Sequence, residues 1–569
     1  MSGPGDRAPK PPSSRKPTPS ACADGQGVPP TRVDVAATLP TGSKEFGKLR
    51  ESPAREPGDL DGASPSMVDG RQAREGWSHN PLQAIEESDA VVVPKKSMKT
   101  RVTPVESMEG RVAAKGKSAV RNASPTQCGQ DALTSLQRIG ERAKQKPKEQ
   151  WTNLLSHIRV PLLKEAYQRL HKNAAPGADE VTWAEYGERL DERLLDLQDR
   201  IHRGSYHPQP VRRVLIPKGD GTTRPLGLVA LEDKIAQQAA RMLLEPIYEA
   251  EFVGISYGFR PKRSQHDALD AVAESIRRKV NWVLDADIRA YFDTIEHGHL
   301  QRFIEHRIGD SRMVRLLMKW VKAGVLEDGK LREVLEGTPQ GAGISPLLAN
   351  IYLHYVFDLW LCQWRKQRAQ GEVYAVRYAD DLLLGFQKEQ DARALHSALA
   401  ERLARFGLEL HPDKTRVIEF GRFARQERER RGLSKPETFE FLGFVHICGV
   451  SRDGRYFQLK RRTSRKKRRA KLARLKEEAR RRRHHRVAEQ HAWLSQVLKG
   501  HYRYYGVPFN YSALAQFRRR VAWMWHRSLQ RRSQRGRWSH ERWRAFEQRF
   551  PLPPPRIHHP LPTRRFALR

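Results

Sequence analysis

Apolar residues recur at helical spacing from about residue 131 onward: Ala132, Leu133, Leu136 and Ile139, then Trp151, Leu154, Leu155 and Ile158. A loop at 174–179 precedes a helix predicted through Leu190, Leu194, Leu195 and Leu197. A long amphipathic helix is predicted over 231–248, and another through Leu316, Leu317, Met318, Trp320 and Val321. Short apolar runs predict strands over 211–216 and 282–288. Two further runs, 373–377 and 382–386, flank the pair Asp380-Asp381 and place it at the turn of a β-hairpin. Strands and long helices mix without a regular strand–helix alternation, which gives an α+β class.

The two ends break this pattern. Residues 1–130 are rich in Pro, Gly, Ser and charge, and six of the first twenty are proline. Such a segment buries too little apolar surface to offset its ordering entropy, so it is expected to be largely disordered, with residues 83–87 a short exception. Between Arg455 and Arg486 stand 17 Lys or Arg against two acids, Glu477 and Glu478, with a thin apolar stripe at Leu472 and Leu475. Helices with a basic face are expected there. The expected divisions are an extension over 1–130, a mixed body over 131–455, a basic helical domain over 456–550 and an extended tail over 551–569.

Charge narrows the partner. The chain of 569 residues carries 104 Lys and Arg against 66 Asp and Glu, a formal charge of +38. A surplus of that size concentrates polyanions through a salt-sensitive field, so nucleic acid is the expected partner. No run reaches the ~18 apolar residues of a membrane span, and the N-terminus has no apolar signal core, so no membrane association is expected. Four scattered cysteines, Cys22, Cys128, Cys362 and Cys448, support neither a disulfide framework nor a cysteine zinc site. An intracellular, cytoplasmic setting follows as an expectation.

The candidate chemistry is carboxylate chemistry. Two adjacent aspartates at a half-buried turn repel each other unless cations stand between them. A second acidic cluster lies about ninety residues upstream, where Asp287 ends the apolar run 282–288 and an aromatic, Phe292, follows. Carboxylates from two strands converging on a pair of cations about 3.5–4 Å apart are the requirement of two-metal phosphoryl transfer. The loop 216–227 carries Lys218 and Arg224 on a Gly-containing turn, a form suited to folding over a triphosphate.

Taken together these stretches resemble the group II intron reverse transcriptase and maturase family over roughly 130–550. Tyr378-Ala379-Asp380-Asp381 is similar to that family's active-site box, Asp287-Ile288-Arg289-Ala290-Tyr291-Phe292-Asp293 to its first metal-binding motif, and residues 338–350 to its nucleotide pocket. Phe439-Glu440-Phe441-Leu442-Gly443-Phe444 resembles the segment joining palm to thumb, and residues 500–506 a maturase motif. The resemblance implies a right-hand polymerase, with fingers and palm built on an antiparallel sheet and an α-helical thumb/maturase domain behind. It implies two Mg2+ ions held by Asp287 and Asp380, with Asp381 completing the acidic site and the Ile288 carbonyl an extra oxygen. Asp285 and Asp293 are expected to face away or to cap a helix. Incoming deoxynucleotide would meet Lys218, Arg224, Gln340 and Gly341, with Phe292 beneath the sugar rejecting a 2′-hydroxyl. Template phosphate would meet Arg260 and Arg263, and Lys414 the primer strand. Tyr504 and Tyr505 would either stack on unpaired RNA bases or pack the thumb.

The implied function is RNA-directed DNA synthesis coupled to binding and splicing of the parent intron RNA, with RNA template, DNA primer or target and dNTPs as partners, and association with the bacterial nucleoid when DNA is the target. A splicing-only maturase and a domesticated or defence-related reverse transcriptase are the alternatives. Paired cysteines are lacking after Cys448, so no zinc-stabilised endonuclease domain is expected.

Overall fold

The computed structural model describes residues 127–560 apart from 218–222, 328–329, 333–335, 339–340, 452 and 533–537. The expectations for the segment before 127, for Lys218 and for Gln340 lie outside the described residues.

Eleven strands form three sheets among the described residues. They are β1 (Val211–Pro217), β2 (Thr223–Leu228), β3 (Trp282–Asp287), β4 (Val325–Glu327), β5 (Lys330–Arg332), β6 (Val373–Tyr378), β7 (Asp381–Phe386), β8 (Arg416–Glu419), β9 (Phe439–Phe441), β10 (Phe444–Val450) and β11 (Phe457–Thr463). The first sheet has the order β2-β1-β4-β5, the central one β6-β7-β3-β8 and the third β11-β10-β9. The central sheet is antiparallel throughout, whereas β1 and β4 in the first sheet run parallel.

The central sheet shows why its strands read as apolar runs and not as alternations. Five of six positions in β6 and in β7 are buried, so both faces are covered. The helices Gln265–Arg278 and Glu389–Ala404 pack against it. The first of these starts at a capping box, in which Ser264 accepts from the Asp267 amide and Asp267 accepts from the Ser264 amide. One large core runs from Ile139 to Val507 and encloses this sheet.

A second core, Leu475 to Leu552, lies among the helices Arg465–Arg481, Val487–Tyr505, Tyr511–Gln530 and His540–Arg549. Tyr505 packs against both cores. The division expected near residue 455 falls inside the turn of the β10–β11 hairpin, so β11 stays with the preceding sheet and the helical unit begins at the Ser464 cap. Residues 551–560 form neither helix nor strand and are docked on the helical unit and its neighbours. Tyr502 donates to the Pro553 carbonyl, the His558 amide donates to Gly506, and the His559 ring stacks on His266 with centroids 3.5 Å apart.

Candidate active site

The central sheet brings the two acidic motifs together. In the β3–β7 ladder Asp287 is the direct partner of Asp381, and β6 joins β7 through the two-residue turn Ala379-Asp380. All three aspartates therefore lie at one end of one sheet. Ala379 adopts φ 56, and Ala290, just beyond β3, adopts φ 47. Non-glycine residues in the left-handed region are costly and are held there by their surroundings.

The segment after the helix Glu389–Ala404 returns alongside the end of β3. The Arg289 amide donates to the Glu409 carbonyl and the His411 amide to the Asp287 carbonyl, at 2.9 and 2.8 Å. Ile288 is thus bridged to Leu410 through its neighbours' bonds, which leaves its own carbonyl outside that ladder. The next turn sets Lys414, whose Nζ lies 2.6 Å from Asp287 Oδ2. Lys414 is therefore found on an acidic side chain, where a primer contact had been expected.

The electrostatics are those of crowded carboxylates. Burial, then the charges of Asp380 and Asp287, push Asp381 up to about 7, against the opposing charge of Lys467. Burial likewise raises Asp285 to about 6, against Arg416. Asp285 does not face away: two residues before Asp287 on the same strand, it shares that face and is approached by Arg416 at 3.9 Å. Asp293 is exposed at the end of the 3-10 turn Tyr291–Asp293. Among the described residues no three His, Cys, Asp or Glu side chains are already closed into a cation-holding cluster. The donor set still fits divalent cations, because hard carboxylate oxygens gather at one end of the sheet, where burial and then their mutual repulsion raise Asp381, and a lysine ammonium sits on one of them.

Around this acidic end the other motifs assemble. Phe292 is half-buried in its 3-10 turn, and its carbonyl accepts from the Thr338 amide at 2.7 Å. Gly337, at φ 87, passes so near that a Cβ would lie 2.9 Å from the backbone of Phe292 and Asp293. Gly341, at φ 116, lies against β2, where a Cβ would meet the Gly227 carbonyl at 2.4 Å. β2, which carries Arg224, thus lies against Gly341. Leu442 and Gly443, at φ 46 and 81, make the β9–β10 turn, against which Lys467 and the Tyr505 hydroxyl lie.

The expected template contacts separate. Arg260 is corrected: its side chain is 3% exposed, and its guanidinium donates to Glu249 and to the carbonyls of Val253 and Ser256. It braces the fold and presents no charge to a template. Arg263 is half-buried, bonded to the Gly254 carbonyl and lying over Tyr257. Of the two uses open to Tyr504 and Tyr505, packing describes what is seen. Tyr504 donates to the Leu442 carbonyl at 2.8 Å, and both rings lie against Phe444.

The sequence pattern points to no role for Arg377 or Asp358, and Asn350 enters it only as the end of the stretch 338–350. Arg377 is fully buried on β6, with Nε and Nη2 bonded to the two Asp358 oxygens and Nη1 donating to Asn350 and to the Ala379 carbonyl. The available signal was an arginine inside an otherwise apolar strand run, since a charge is buried only when it is paired.

Residues 216–446 match the family described as reverse transcriptase (RNA-dependent DNA polymerase). The chain is 40% identical over 240 residues to protein YkfC of Escherichia coli K12, covering 37% of this chain and 62% of that protein. It is 37% identical over 224 residues to the group II intron-encoded protein LtrA of Lactococcus lactis, covering 39% of this chain and 37% of that protein. A nuclear intron maturase 2 of Arabidopsis thaliana mitochondria is 26% identical over 152 residues, covering 26% of this chain and 20% of that protein. The match thus spans less than two thirds of the length of these relatives. Among the described residues no helix is long and apolar enough to cross a membrane. The acidic sheet end lies within residues 216–446, the part of this chain that is similar to the reverse transcriptase (RNA-dependent DNA polymerase) family and to the group II intron-encoded protein LtrA.

Proposed function

We propose that the protein is an RNA-directed DNA polymerase that also binds its parent group II intron RNA as a maturase. The observation that carries the reading is the ladder pairing of Asp287 with Asp381 beside the Ala379-Asp380 turn. In this reading the first sheet is the fingers, the central sheet the palm and the basic helical unit the thumb/maturase domain. Asp287 and Asp380, with Asp381 and the Ile288 carbonyl, hold Mg2+. Held by these residues, Mg2+ would supply Lewis-acid activation of a primer 3′-hydroxyl and charge neutralisation at the leaving pyrophosphate.

The chain's own residues then position the reactants. Lys218 and Arg224 close on the triphosphate, Gln340 and Gly341 bound the nucleotide, and Phe292 lies under its sugar. Arg263 meets the template, and Lys414 leaves Asp287 for the primer strand. The helix Arg465–Arg481, almost every turn of which carries exposed Lys or Arg, tracks RNA phosphates, with Tyr504 and Tyr505 fixing it to the palm.

Primer extension on an RNA template with Mg2+, run beside Asp380→Ala, tests the reading. Extension by the native protein and none by the variant is expected. Activity in both, or in neither, would remove the polymerase from the account, and loss of intron RNA binding on neutralising Arg465–Arg469 checks the maturase half.

A further inference from the structure

A buried hydrogen-bond network backs the Ala379-Asp380 turn. Arg377 and Asp358 have side chains with 0% exposure, and Arg377 Nε and Nη2 meet the two Asp358 oxygens at 2.8 and 2.5 Å. The remaining edge of the fork turns toward the active site. Nη1 donates to Asn350 Oδ1 at 2.9 Å and to the carbonyl of Ala379 at 3.2 Å. Asn350 then donates from Nδ2 to the Gly258 carbonyl at 2.8 Å. Gly258 lies flush on the turn, and β6 is bonded to the same segment through Tyr257 and Ile255.

Three segments of the chain are thus tied to one guanidinium. They are 255–258, the helical stretch from Ser345 to Gln367, and the end of β6. The helical stretch contains a π turn at His354–Asp358. Such a turn inserts a residue and changes the direction of the side chains beyond it, and this one ends on the residue that receives Arg377. A planar fork can hold Asp358, Asn350 and a backbone carbonyl in one plane of donors; a lysine ammonium, a point charge, cannot reproduce that set.

The bonded carbonyl belongs to the residue directly before Asp380, and that residue is in the left-handed conformation. A strained turn persists only where its surroundings over-determine it. We propose that Arg377, braced by Asp358 and Asn350, is a positioning residue that sets the Ala379-Asp380 turn and thereby the affinity of the acidic site for its divalent cations. The proposal rests on the polymerase reading above for its consequence, and on the network alone for its geometry.

The test uses the full chain with primer–template bound, Asn350→Ala as the mild variant and Arg377→Lys as the charge-conserving one. Asn350→Ala leaves the Arg377–Asp358 pair in place. Three quantities are read: thermal unfolding, Mn2+ binding by paramagnetic resonance without nucleotide, and kcat and dNTP KM with Mg2+. Asn350→Ala is expected to unfold within a few degrees of the native protein while Mn2+ affinity falls about tenfold or more, as for other residues that orient metal ligands. Its kcat falls with the affinity, recovers in part at high Mg2+, and dNTP KM stays within about twofold. Arg377→Lys shifts the same quantities further.

Native Mn2+ affinity and native kcat in a folded Asn350→Ala would overturn the proposal. So would unfolding of that variant, because the network would then be a stability element. If the native protein binds Mn2+, the variants weaken it, and no protein extends a primer, the positioning stands and the polymerase reading falls.

Discussion

Replacing Gly258 by alanine tests how tightly the acidic turn is placed. A Cβ at Gly258 would stand 2.4 Å from the Ala379 amide nitrogen, 3.0 Å from the Tyr378 carbonyl carbon and 3.2 Å from the Ala379 Cα. Ordinary contact begins near 3.4 Å, so the turn and the 255–258 segment must separate by about 1 Å. All three neighbours are backbone atoms, so no side-chain rotation relieves the clash. A misplacement of that size costs about 100-fold in rate, or about 2.7 kcal/mol of transition-state stabilisation. Overpacking adds about 1–3 kcal/mol of instability. Gly204→Ala is the matched control, because Gly204 has φ 81 with nothing within 4 Å and ends the helix Leu190–Arg203, far in sequence from the turn. It should lose about 1–2 kcal/mol of stability through backbone strain and keep its activity. Single-turnover primer extension and thermal unfolding, measured on both variants, separate the two effects. Native kcat in Gly258→Ala, or an equal loss in Gly204→Ala, would refute the claim that this contact sets the turn.

Other consequences are independent of that contact. Lys414→Ala removes the ammonium that competes for Asp287, so Mn2+ binding without nucleotide should tighten by a few fold; because the lysine is largely exposed, the change should shrink with added salt, and unaltered binding would show that Lys414 does not compete. His446, buried against Phe439, is held down at about 3 by burial and by Arg461. Its folded value lies below the unfolded one, so its contribution is present above about pH 6.5 and is lost as pH falls toward 3, amounting to about 2 kcal/mol by pH 5. His446→Phe should flatten the loss of stability between pH 7 and 5 in denaturant titrations; an unchanged slope would contradict this. Tyr504→Phe removes the bond to the Leu442 carbonyl and should cost about 1 kcal/mol in thermal unfolding with RNA affinity unchanged. A fall in affinity at unchanged stability would restore the base-stacking use of this ring. Phe292→Ala should raise ribonucleotide incorporation, and unchanged sugar selectivity would remove Phe292 from that role.

Local pattern was enough for the elements that build the site. The runs 282–288, 373–377 and 382–386 are strands because consecutive apolar positions suit a sheet covered on both faces, and the acidic pair falls where two of them meet, Asp380 in the turn and Asp381 opening β7. The basic stretch after Arg455 reads as helix for the same kind of reason, although the segment Phe457–Thr463 within it is a strand paired to β10. Nothing local separates that strand from the helix Arg465–Arg481 after it; its pairing partner does.

Arg260 and Arg377 show where pattern fails. Each is an arginine beside a motif, and the charge alone suits template phosphate equally well in both. Glu249 and the carbonyls of Val253 and Ser256 bury the first, while Asp358 and Asn350 bury the second and turn it into a support for Ala379. Asp285 is similar, since only the neighbouring strand supplies Arg416. Residue type and spacing along the chain therefore point to the groups able to carry chemistry, because acid, base and apolar character belong to each residue. Which of those groups meet, which are buried, and which carbonyl a guanidinium holds were decided by segments distant along the chain, since a hydrogen bond or a desolvated charge exists only once its distant partner has arrived.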